Sequence, residues 1–172
     1  MTDKRLTLRL TEYWNSLRGD ALLPEWERFD NSEFADIWQQ CCDWRVDTGE
    51  GNTVVFTYDH VGESVKEKVS KDLTGKKFTT SSRILPGAPV TKNIVGAILA
   101  EQLFTNDFKG FPAASIVKRI DRVLNNLVPV MDEGRFENDA HKTVRYRSCM
   151  LPFGDASGKV QRLVLGLSWK AF

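Results

Sequence analysis

The residues of this chain with chemical potential are two histidines, three cysteines and several closely spaced arginines. His60 and His141 each lack a nearby second histidine. No Cys-x-x-Cys, His-x-x-x-His or acidic calcium loop occurs. A structural zinc site needs such ligands clustered, so no metal is expected. Cys41 and Cys42 are adjacent and Cys149 stands alone. An odd count with an adjacent pair does not read as a disulfide framework. A Gly-x-Ser-x-Gly elbow, a phosphate-cradling glycine loop and a His-Glu-x-x-His helix are all missing. The chain is therefore expected to be no enzyme. The alternative is a small α+β pocket enzyme, isomerase- or dehydratase-like, acting on a metabolite. That reading needs titratable groups converging in one pocket.

Arg145 and Arg147 alternate with Val144 and Tyr146, so they project from one face of a strand. With Lys142 and Arg162 they are read as a basic patch that docks an acidic partner or a phosphorylated protein surface. The competing reading is a charged face that keeps the sheet from pairing with another chain. Arg5-Leu-Thr-Leu-Arg9 has the spacing that grips cyclic dinucleotides in the PilZ class. Its companion Asp/Asn-x-Ser-x-x-Gly is absent, and arginines four apart also mark a helix's solvent face.

Aromatic residues offer a second kind of contact. Leu10, Tyr13, Trp14 and Leu17 lie on one stripe of an N-terminal helix, and Tyr and Trp are favoured at hot spots. These four are the candidates for a homodimer or partner interface. Packing of the same stripe within the chain is the alternative.

The elements that must position these residues follow from periodicity. Residues 6–18 read as a helix closed by Gly19, and 30–40 as a second helix capped near Asp30. Residues 43–47 and 53–59 read as a hairpin around a turn at 48–52. A short helix over 62–70, a turn at 72–75 and a buried Phe78 come next. Residues 93–104 and 113–127 read as helices. The second has Ile116, Val117, Ile120, Val123, Leu124 and Leu127 on one face, with Arg119 among the polar residues opposite. Strands are expected near 128–132, over 143–152 and over 160–171.

Composition sets the bounds. The chain has 172 residues, 41% hydrophobic and 27% charged, an ordinary globular balance that needs no disulfide to build a core. A net charge of +1 argues against a generic nucleic-acid binder. No apolar run reaches the length that crosses a bilayer. The opening Met1-Thr-Asp-Lys-Arg leads into no apolar signal region, so a cytoplasmic location is expected.

The order of elements predicts an α+β fold. It has a five-stranded antiparallel sheet, helices packed on one face and an N-terminal flanking helix. Residues 1–40 are read as flanking helices. Residues 41–172 are read as the core, with an extended helical segment at about 79–127.

Particular motifs narrow this. Trp14-Asn-Ser-Leu-Arg-Gly19 precedes Leu22-Leu-Pro24, and Phe56-x-Tyr58-x-x-Val61-Gly62 precedes Asp72-Leu-Thr-Gly75. Tyr146-Arg147 precedes Leu151-Pro152 and the Gly154-Asp-Ala-Ser-Gly158 turn. In order and spacing these resemble a bacterial family of small stand-alone PAS-like proteins, over most of 10–78 and 128–169. The chain departs where arginine is common between Tyr58 and Val61, here Asp59 and His60, and in a longer 79–112.

The resemblance implies helices over a concave sheet with room for a small ligand. By alternation the inward residues are Phe56 and Tyr58, Tyr146 and Met150, and Leu165, Leu167 and Trp169. Ile116, Val117, Ile120 and Leu124 face them from the helix. Haem is disfavoured, because residues 79–127 hold no histidine or cysteine for an axial bond. Flavin is disfavoured for lack of an Asn-Cys-Arg-type motif. What remains is an unidentified small ligand. The resemblance also implies a sensory or adaptor module whose output passes to a signalling protein, such as a histidine kinase or regulator.

Overall fold

The computed structural model describes residues 3–48, 54–69, 72–80, 113–138 and 140–172. Helix α1 (Asp3–Arg18) follows its apolar stripe. Leu6, Leu10 and Trp14, four residues apart, are all buried, and Gly19 ends the helix at φ +54°.

Residues 30–40 form no α-helix, contrary to expectation. They fold as 3-10 turns at Asn31–Phe34 and Trp38–Gln40, after an earlier turn at Trp26–Arg28. Of the three residues that could cap the segment, Asp30, Asn31 and Ser32, Asp30 does so, and its carboxylate accepts from the nearby Ser32 N–H at 2.9 Å, which tightens the first turn. The ring of Phe34 is then free to pack edge-on against Tyr13 at 4.6 Å. That contact fixes the segment on α1 instead of on a regular helical axis.

Strands β1 (Cys41–Thr48) and β2 (Val54–Val61) form the expected hairpin, whose turn at 49–53 lies outside the described residues. Helix α2 (Glu63–Val69) follows. Strand β3 (Lys77–Thr80) then pairs with β2, an element the sequence reading did not contain. The Phe78 side chain and the helix expected over 93–104 lie outside the described residues. Helix α3 (Ala113–Asn126) leads into β4 (Val130–Glu137), β5 (Thr143–Gly154) and β6 (Val160–Ala171).

The pairings among the described strands are all antiparallel. The sheet runs β3-β2-β1-β6-β5-β4, so the hairpin and the C-terminal meander join through β1 and β6. The five expected strands stand side by side, and β3 extends one edge. The fold is α+β and PAS-like, with an open sheet.

The sheet separates two cores. Cys42, Trp44, Phe56, Tyr58, Met150 and Leu165 point inward, toward α2 and α3. Cys41, Cys149, Leu151, Phe153 and Val164 point outward, under α1. Gly166 lets α1 approach. A Cβ there would come within 2.6 Å of Leu10 and 2.8 Å of Leu6. Among the described residues no helix is long and apolar enough to cross a membrane.

Candidate functional site

The inner face gathers most of the predicted pocket residues into one core. Phe56 and Tyr58 on β2, Tyr146 and Met150 on β5, Leu165 and Leu167 on β6, and Ile120 on α3 are all buried there. Leu124 and Trp169 pack against them. The side chains of Ile116 and Val117 lie outside the described residues. Trp44, not singled out from the sequence, is fully buried among them, edge-on to Tyr58 at 5.6 Å and to Phe56 at 6.3 Å. Burial pushes the Tyr58 phenol well above its ordinary range.

The chemistry at this core's edge comes from a residue assigned to the wrong side. Arg119, expected on the solvent face of its helix, is only 4% exposed. Its guanidinium donates to Ser148 Oγ at 2.5 Å and pairs with the Asp132 carboxylate. The Tyr146 hydroxyl donates to the same Asp132 oxygen at 2.9 Å. Tyr146 reaches it because Gly134 lies opposite on β4; a Cβ there would meet the ring at 2.9–3.0 Å. Burial pulls the Arg119 pKa down and Asp132 opposes that. The cluster ties α3 to β4 and β5 with buried charge, which is costly to disrupt. A sequence signal existed. Val130, Asp132, Gly134 and Phe136 share one face of β4, so Asp132 points inward and needs a cation.

The outer face carries the basic patch, in altered membership. Arg145 and Arg147 project outward as predicted. Arg147 pairs with Glu133 across the strands at 2.9 Å. Arg145 lies opposite Arg135 on β4 and opposite Lys170 on β6, so three cations stand in one cross-strand row. Arg145 and Lys170 both lie over the exposed ring of Phe172, at 5.1 and 5.3 Å. A concavity of about 540 Å³ opens beside the row. Lys142 is exposed in the turn before β5. Arg162 does not belong to this patch. It is bound to Asp43 and Asp59 at the far end of β6.

On α1 the structure shows the alternative, packing within the chain, for two of the four candidate interface residues. Leu10 and Trp14 are fully buried against this chain's own sheet, and the Trp14 indole N–H donates to the Pro152 carbonyl at 2.5 Å. Tyr13 and Leu17 pack on the same core. Tyr13 and Leu17 stay half-buried, while Gly166 admits the helix closely at Leu10.

The remaining reactive types are quiet. All three cysteines are free and buried, and burial pushes Cys42 and Cys149 up to about 12. His60 stacks on Trp38, and burial lowers its pKa. His141 is exposed beside Glu137. Among the described residues no group of His, Cys, Asp or Glu is arranged to hold a metal ion.

Comparison with protein-family models and with curated proteins finds no match to this chain.

Proposed function

We propose that this chain is a non-catalytic PAS-like sensory or adaptor module of bacterial signal transduction. It works in the cytoplasm by docking an acidic surface of a partner such as a histidine kinase or regulator. The observation that carries the reading is the row Arg135–Arg145–Lys170. Like charges directly opposite on adjacent strands repel. Among the described residues none of the three has a carboxylate partner. An anionic surface would relieve that repulsion, and exposed Phe172 adds an apolar anchor beside it. The second half of the reading, that a small ligand biases the module, rests on the PAS-like arrangement of helices over the sheet.

A fluorescein-labelled Glu-rich peptide tests the docking. Anisotropy is expected to show salt-sensitive binding, weakened at least tenfold by Arg145→Glu combined with Lys170→Glu. Equal binding by wild type and variant overturns the reading. Native mass spectrometry against a denatured control tests the ligand. A surplus mass lost on denaturation supports it, and a clean apo mass removes that half.

A further inference from the structure

A second concavity lies on the outer face, beside Arg162 and at the opposite end of the strands from the basic row. It encloses about 550 Å³. Three rings line it, Trp26, Phe29 and Trp38, together with three carboxylates, Glu27, Asp30 and Asp43. Among the described residues no lysine or arginine is in its lining. Its histidine, His60, is kept toward the neutral form by burial and stacks face to face on Trp38 at 4.7 Å.

Asp43 forms the buried part of the wall. Its side chain is 7% exposed, and Oδ2 accepts from Arg162 at 3.0 Å. Oδ1 has no partner among the described residues. That oxygen is out of contact with solvent, so a cation in the concavity would meet the carboxylate's charge across the wall rather than a hydrogen bond. The rings accept cations here already: the Arg162 guanidinium lies 4.8 Å above Trp26. Arg162 and Arg45 are the cations bound to this cluster. Against them stand Asp43, Asp59 and Asp47, before Glu27 and Asp30 are counted.

We propose that this pocket binds an alkylammonium ion, its carbon groups against the indole and phenyl faces and its charge facing Asp43. Aromatic walls suit such a cation, whose methyl or methylene groups carry the positive charge outward. They suit a bare metal ion poorly, since rings supply no ligand oxygen. The site is independent of the basic row, which favours the opposite charge.

The test is a titration of the full chain with choline, followed by the indole N–H signals of Trp26 and Trp38 in ¹H–¹⁵N spectra. Both are expected to shift, while the buried Trp14 and Trp44 signals stay. The neutral isostere 3,3-dimethylbutanol, which has the same shape without charge, is expected to bind at least tenfold more weakly. Asp43→Asn is expected to lose choline binding by a similar factor, its fold checked in the same spectra. A peptide carrying trimethyllysine forms a second arm. Tighter binding of that peptide assigns the alkylammonium to a protein side chain, and tighter choline binding assigns it to a free metabolite. Failure of both, or equal binding of choline and its neutral isostere to wild type, overturns the proposal.

Discussion

Along β5 one outer face becomes two surfaces. From Thr143 to Arg147 the strand alternates, with Val144 and Tyr146 inside and Arg145 and Arg147 in contact with solvent. From Ser148 to Gly154 every residue is buried, and Cys149, Leu151 and Phe153 take the outward positions. The boundary is where α1 begins to cover the sheet. Alternation therefore marks bare sheet, and its loss marks a covered one. The covered end is a core with the stability of a core. The bare end keeps Arg145, which has no carboxylate partner among the described residues.

Four measurements can break or sharpen that contrast. The largest effect is expected at the covered end. Trp14→Ala removes a fully buried indole and leaves the Pro152 carbonyl without its donor. A loss of about 4 kcal/mol in urea unfolding is expected. A loss below about 1 kcal/mol would mean that α1 is a detachable cover.

Next comes Asp43, whose pKa burial raises from 3.8 to about 6. The folded chain keeps that proton up to about pH 6, while the unfolded chain releases it near pH 4. Between those values the folded state binds more protons, so stability falls as pH rises and levels off above pH 6. The fall is expected to be about 3 kcal/mol, and Asp43→Asn to flatten it. An unchanged pH profile in the variant would assign the dependence elsewhere.

Gly166→Ala is expected to cost about 2 kcal/mol by pushing Leu6 and Leu10 off the sheet. A neutral result would show that the helix moves freely. The smallest effect belongs to the bare end. Arg145→Gln is expected to change stability by less than about 0.5 kcal/mol, the usual range for a surface position. A large loss would place the row in the fold's own energetics rather than in recognition.

Much of the fold was legible because its period is strong. The stripe on α1 marks a helix, and the alternation of Leu163, Leu165, Leu167 and Trp169 marks a strand. The segment 30–40 misled because Phe34, Ile37 and Trp38 suit one face of a helix and also two short turns. Asn31, Ser32 and Asp36 are weak helix formers, and that was the available warning. Strand β3, four residues long at an edge, is too short to show a period.

The candidate site was less legible, since its members meet only through register. Parity places Arg162 on the same side as Arg145, but not beside it. Arg162 and Lys170 are eight positions apart on β6, about 26 Å of strand. Arg135 and Lys170 join the row only once the pairings of β4 and β6 with β5 are known. Arg119 misled for a related reason. The helical wheel shows where a side chain starts, and Asp132 decides where its charged end settles.

The three thiols give the two cores separate clocks. Cys41 and Cys42 are neighbours in the chain but face opposite sides of the sheet, and Cys149 shares the outer core with Cys41. A buried thiol held protonated alkylates only when its surroundings open. The rate at which iodoacetamide marks Cys42, set against the rates at Cys41 and Cys149, therefore times the opening of each layer in the unaltered protein. If α1 lifts without the rest, the outer two will be marked first. If the molecule opens as one, all three will be marked together.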